Sequence, residues 1–290
     1  MIFSTMLLFG TMYAQRLEVG IKVTGSAANG DTKLPAVNSG GYSVPAFTAK
    51  FDKLAPQLMG GVYGRWTLNR NWFLQTEILY THFTLKQQTG DVRTTFSNVP
   101  VDANGTTIAG NINYTNTKPV SSVWGIDVPL FVGKRFGNFR VYGGPSFLFV
   151  TKSEQKTTYE NGSYQINTIS NPAFAAPPPF GFGSSTVPYS TFKANQPDEA
   201  QQIDAGVAAQ VKKQQTEDLS HDTEPPLPNR RIKKLIIPFE VGVGYKIADT
   251  GFAIDVRYSV PVFTGVYANK DIKGFLGVTT LSLSYRLIGE

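Results

Sequence analysis

Residues 251–260, GFAIDVRYSV, put Phe252, Ile254, Val256, Tyr258 and Val260 on one side of an extended chain and Ala253, Asp255, Arg257 and Ser259 on the other. Successive side chains of a strand point to opposite faces, so this segment has one unbroken apolar face and one face carrying an acid and a base. A strand of that kind needs two different surroundings about ten residues long. It constrains the fold more than any other feature of the chain.

The same two-faced pattern recurs along the sequence. QRLEVGIKVTG (15–25) sets Leu17, Val19, Ile21 and Val23 against Arg16, Glu18, Gly20 and Lys22, and QLMGGVYGRWTL (57–68) sets Val62, Trp66 and Leu68 against Tyr63 and Arg65. A turn at 69–71 leads into WFLQTEILYTHF (72–83), with Leu74, Ile78 and Tyr80 opposite Gln75 and Glu77. VWGIDVPLFVGKRF (123–136) and FRVYGGPSFLFV (139–150) flank a turn at Gly137 and Asn138, with Asp127, Arg140 and Tyr142 on the minority face. RRIKKLIIPFEVGVGYKI (230–247) carries Lys234, Glu240 and Lys246 there, and TTLSLSYRL (279–287) carries Ser282, Ser284 and Arg286. With 251–260 these make eight strands.

The links alternate in length. Those after the second, fourth and sixth strands are a few residues each, and those after the first, third, fifth and seventh are long, the longest being 153–230. In an up-and-down sheet all tight turns then fall at one end, the pattern of outer-membrane barrels with short periplasmic turns and long external loops. A soluble ligand-carrying barrel shows the same period with its apolar face inward. Three features favour the membrane: the charges Glu18, Arg65, Glu77, Asp127, Arg140, Glu240, Asp255, Arg257 and Arg286 are few for a solvent face and suit a paired lumen; Trp66, Tyr80, Tyr245, Tyr258 and Tyr285 sit near strand ends on the apolar face; and the N-terminus is apolar. Unpaired backbone in hydrocarbon is costly, so such strands must close on themselves, and eight of them leave an interior that side chains nearly fill. The expected fold is all-β, an eight-stranded antiparallel up-and-down transmembrane barrel in the bacterial outer membrane, with lipid as its surroundings.

Composition agrees where it speaks. The 28 Gly, 20 Phe and 13 Tyr suit turns and aromatic strands. The absence of cysteine excludes disulfides and thiolate metal sites. Lys and Arg are spread along strands, so the net charge of +6 does not point to nucleic acid. Residues 1–14, MIFSTMLLFGTMYA, read as a signal peptide truncated at its start, since no basic residue precedes the apolar run, and residues 15–290 read as the barrel domain.

Three segments, GGVYGRWTLNRNWFLQTEILY (60–80), IDVPLFVGKRF with FRVYGGPSF (126–147) and TTLSLSYRL (279–287), resemble the PorT-like outer-membrane β-barrel family of Gram-negative bacteria. The resemblance covers about half the chain. It implies an eight-stranded barrel with no known enzymatic reaction, one member being associated with type IX secretion. The long 153–230 insertion departs from it.

The chemistry-bearing motifs are few. The two histidines, His82 and His221, lie far apart, and His82 with Ser97, Ser121 or Glu77 would be needed for a lipid-modifying hydrolase. DANG (102–105) lacks the later ligands of a calcium loop and reads as a turn, and the glycines of VGVG (241–244) leave lumen space for Tyr63 or Tyr142. Within 153–230, Phe174, Phe180 and Phe182 lie in a Pro- and Gly-rich stretch, and PDEAQQIDAGVAAQVKK (197–213) opens with Pro197, Asp198 and Glu199 and repeats Ile203, Val207 and Val211 every fourth residue, which predicts a short amphipathic helix. The alternatives are that its stripe caps the barrel mouth, that it docks a protein partner, or that the loop is disordered. The expected function is a non-enzymatic barrel, without cofactor or metal, that binds a partner or ligand or serves an envelope complex in secretion or nutrient uptake. The alternatives are a lipid-modifying enzyme using His82 and a narrow passive channel.

Overall fold

The computed structural model describes residues 16–69, 71–211, 214–223, 229–248, 250–262, 265–274 and 276–289. Residues 1–14, read above as a signal peptide, lie outside them. Eight strands form the frame: β1 (Arg16–Asn29), β2 (Gln57–Thr67), β3 (Trp72–Gln88), β4 (Thr107–Phe136), β5 (Phe139–Ser170), β6 (Phe239–Lys246), β7 (Phe252–Val260) and β8 (Gly277–Ile288). Each pairs antiparallel with its neighbour in that order, and β8 pairs back onto β1, with Ile21 opposite Tyr285 and Val23 opposite Leu283. The ring leaves no free edge among these eight. Among the described residues the sheet has 17 strands, more than the eight expected, because short strands decorate the long connections.

Alternation decides which face is which. Ile254, Val256, Leu281 and Leu283 are exposed on the outside, whereas Asp255 and Arg257 are buried at 0% and 3%. Ile21, Val23, Val62, Ile78, Leu130, Val132, Val141 and Val243 continue the exposed apolar belt. At the short-turn end the belt is bordered by ring pairs, Phe139 with Tyr245 and Phe252 with Tyr285, each 4.8 Å between centroids. The turn after β2 is held by Asn69, whose Oδ1 accepts from the Asn71 and Trp72 N–H groups. The next turn uses Gly137 at φ 63°, where a side chain would be strained.

Two expectations change. The long loop begins at 171, not 153, because β5 continues to Ser170 against a β4 that starts at Thr107. That hairpin extends well past the apolar belt on Thr, Ser, Asn and Gln, whose pairing needs no apolar face. The sixth strand does not run unbroken from Arg230: Leu235 and Ile236 pair with β5, and Phe239 resumes after Pro238, which has no N–H to donate to a ladder.

The inner side of the ring near the long-connection end is filled by Ala28, Phe83, Leu85, Val123, Leu148, Ile232, Ile236, Val266 and Leu276. Beyond it stands an extramembrane unit: a 3-10 helix (Pro172–Ala175), α1 (Tyr189–Asn195) and α2 (Pro197–Gln210) packed on the far ends of β4 and β5 and on the 92–100 strand.

Candidate functional site

Two places gather functional side chains. The first is the lumen. Glu77, on β3, accepts Lys22 Nζ at 2.6 Å and Arg257 Nη2 at 2.7 Å. Asp255, on β7, accepts Arg140 through both oxygens at 2.7 and 2.8 Å and the Tyr142 hydroxyl at 3.0 Å. Lys22 Nζ stands 3.8 Å from Asp255, so one ammonium links the two carboxylates. Arg257 reaches Glu240 at 3.3 Å. Nearer the short turns, Arg65 donates to Glu18 at 2.8 Å and to Gln75 at 2.7 Å, Tyr63 donates to Glu18 at 2.8 Å, and Arg135 lies 3.5 Å from the same carboxylate. Asp127 accepts the Ser146 hydroxyl. Charges removed from water at this depth survive only when paired and hydrogen-bonded, which the alternation of seven of the eight strands supplies.

Of the sequence-derived lumen set, Glu18, Arg65, Glu77, Arg140, Glu240, Asp255 and Arg257 meet in this network, and Asp127 faces the lumen beside it. Arg286 is on the inner face opposite Gly20 but lies half-buried at the short-turn mouth and makes no ion pair among the described residues. Lys22, Arg135 and Tyr142 carry bonds that the list of charges did not include. For Lys22 the signal was present: it falls two steps from Glu18 on the same face. Glycine makes room for the bulk. A Cβ on Gly242 would come within 2.7 Å of the Tyr142 ring, while Tyr63 lies instead over Gly20.

The second place is the extramembrane unit. Tyr189, Phe192, Ala200 and Val207 are buried with Ile108, Ile112, Tyr114 and Ile169, and Phe174, Phe182, Ile203 and Val211 pack on them. Phe174 meets Phe182 at 5.0 Å and Phe192 at 5.7 Å. The predicted helix is present with Pro197 in its first turn, followed by Asp198 and Glu199, and a second helix precedes it. The stripe Ile203, Val207 and Val211, together with Phe174 and Phe182, is therefore turned into this chain's own core, because in water an apolar face is buried wherever a surface exists for it. Phe180 alone of the six loop residues stands free, at 88% exposure. The Tyr189 hydroxyl donates to Ala200 O at 2.9 Å, and burial with Asp204 beside it pushes that phenol up.

Between α2 and the 99–106 tip lies a cleft of about 620 Å³. The tip is a turn: Asp102 Oδ1 accepts the N–H groups of Asn104 and Thr106, both at 2.9 Å, and Gly105 has φ 83°. The hydrogen bonds from Thr106 and these N–H groups hold the Asp102 carboxyl below its usual range.

The residues a His82 hydrolase would need are not together. His82 projects from the outer face, stacked on Trp124 at 4.5 Å with Lys152 4.8 Å over the same indole, whereas Glu77 and Ser121 face inward and Ser97 belongs to the extramembrane unit. No group of three or more metal-ligating side chains occurs among the described residues.

A closed antiparallel ring with hydrocarbon-compatible residues outside and paired ions inside defines an integral membrane protein that crosses with strands. The chain belongs to the outer membrane protein beta-barrel domain family, whose model matches residues 13–264, and its place is the outer membrane. No curated protein matches the chain. Similar solved structures include Ail, the attachment invasion locus protein of Yersinia pestis, at 10% identity over 95% of this chain and 100% of that one, TM-score 0.32. The outer membrane protease OmpT of Escherichia coli is similar at 8% identity over 96% and 99%, TM-score 0.33, and Neisserial surface protein A at 10% over 92% and 97%, TM-score 0.25. The expectation of a non-enzyme does not stand, since membership of the outer-membrane β-barrel family does not exclude catalysis.

Proposed function

We propose that this protein is a binding or accessory component of the outer membrane that works at the cell surface through the extramembrane unit on β4 and β5. In outer-membrane barrels short turns are periplasmic and long connections external, which assigns the unit to the outside. The observation that carries the reading is the β4–β5 hairpin. It runs beyond the apolar belt to Thr107 and Ser170 and holds a separately packed core beside an open cleft. A barrel needs none of this to cross a membrane. The lumen, filled by the ion network and the apolar residues above it, serves as a rigid post for that unit. The PorT-like resemblance of 60–80 and 126–147 is in keeping with a place in an envelope complex for secretion or uptake.

The test replaces residues 171–211 with a short Gly-Ser turn in the full chain. Heat-modifiable gel migration should persist, because the ring and its network are untouched, while proteins or surface ligands that co-purify with the wild type should be lost. Unchanged association by the shortened chain would overturn the proposal.

A further inference from the structure

The cleft beside α2 carries polar groups on both walls, set among Val99, Pro100 and Val101 on one side and Ile203 and Val207 on the other. Glu199, Gln202 and Gln210 project from one side of the helix, exposed and without a hydrogen-bond partner among the described residues, and Asp102, Asn104 and Thr106 line the opposite wall. Phe174 and Phe192 line it from below. Its volume of about 620 Å³ lies in the usual range for small-ligand sites, roughly 300–1,000 Å³.

The lining selects by chemistry. It contains two carboxylates and no Lys or Arg, so a phosphate, sulfate or carboxylate ligand would meet like charges with no cation to offset them. Side-chain amides and carboxylates together offer adjacent donors and acceptors, the set that neighbouring hydroxyl groups require, and of the two phenylalanines the half-buried Phe174 has ring surface to offer, an aromatic face being negative where the C–H face of a sugar ring is weakly positive.

Gly206 is a separate observation. It sits in the middle of α2 on the cleft side with ordinary helical backbone, and a Cβ there would meet nothing within 4 Å. Glycine is the poorest helix former after proline, and neither packing nor backbone angle calls for it here. What its bare backbone leaves is room in the cleft.

We infer that this cleft binds a neutral glycan, an inference that rests on the surface-recognition reading above and names the ligand class for that unit. The experiment applies the detergent-solubilised full chain to an array of neutral glycans, with sulfated oligosaccharides and spermidine as anionic and cationic controls, and follows the best neutral ligand by calorimetry. Gly206→Leu should weaken that ligand at least tenfold while raising the helix's resistance to proteolysis, since leucine favours helix and projects into open space. Gln202→Ala should weaken it several-fold. No neutral glycan bound, preference for spermidine or for a sulfated control, or equal affinity in Gly206→Leu would each overturn the inference. If the 171–211 replacement abolishes a protein association while no glycan binds the wild type, surface recognition stands and the glycan assignment falls; if it changes nothing, both fall.

Discussion

The membrane ring and the extramembrane unit share two strands, β4 and β5, and obey opposite rules. Along the lower part of β4, even-numbered Ile126, Leu130 and Val132 are exposed and apolar, and odd-numbered residues such as Val123 and Phe131 are buried. Along its upper part it is even-numbered Tyr114, Ile112 and Ile108 that are buried. The exchange happens at Asn116, at φ 59°, where the β4–β5 register slips between Thr158 and Glu160; Asn161 at φ 48° and Asn98 at φ 55° mark the neighbouring slips. Asparagine tolerates this left-handed conformation better than most residues. In lipid the outer face must be apolar and the inner face is free to be ionic if paired; in water the apolar side must be covered. The difference teaches that a strand's pattern reports the solvent on each side of it, and it implies that the two regions should fail in different ways.

The largest effect should come from the ring. Glu77→Ala leaves Lys22 and Arg257 buried around a missing carboxylate, and breaking such a pair costs about 3–5 kcal/mol. The temperature at which the unboiled protein loses its compact gel migration should drop sharply, with the whole ring lost together. A loss near zero would mean that water reaches Glu77 and that the network is not desolvated.

A core change of similar local size should leave the ring alone. Phe192→Ala removes the ring that meets Phe174, Phe182 and Tyr189, and large-to-small changes of this kind cost about 3–5 kcal/mol. Proteolysis should open 171–211 while heat-modifiable migration stays unchanged. If the ring melts with the unit, the two are one cooperative body and the comparison fails.

How far each region was legible follows from the same physics. All eight ring strands could be read because hydrocarbon enforces strict alternation, and the charges stood out because lipid tolerates none outside. Lys22 was visible on its face, yet its role between Glu77 and Asp255 depends on which strands close the ring. The upper halves of β4 and β5 were not legible: stretches such as Thr115–Lys118 and Ser153–Thr158 are polar on both sides, and no solvent contrast marks them as strand. The amphipathic stripe at Ile203, Val207 and Val211 was legible as a stripe, but its cover, Ile108 and Ile169 from the extended hairpin, was hidden with the hairpin itself.

A smaller effect should sharpen the inversion point. Asn116→Val puts a β-branched residue at positive φ, a strain of about 1–3 kcal/mol. Hydrogen exchange in 107–114 should quicken, and exchange in 124–136 should not. Asn116→Gly should stay close to the wild type, which separates backbone strain from loss of the Asn116 bond to Glu160 at 2.9 Å.

The smallest effect appears only in alkali and concerns the unit. Tyr159 packs on Tyr114 at 4.6 Å and donates to Gln215 at 3.1 Å, and burial pushes its phenol up to about 12 from an ordinary value near 10. Between those values an unfolded chain gives up the proton and the folded one keeps it, so the folded state binds more protons and stability falls as pH rises. The contribution is fully present below about pH 10 and is lost through about pH 12. Protease sensitivity of the 150–211 region should therefore grow across that window, and Tyr159→Phe should flatten the growth, because phenylalanine keeps the packing and has no proton to lose. Equal pH profiles for the two chains would show that water already reaches the hydroxyl and that the unit's aromatic core stops short of Tyr159.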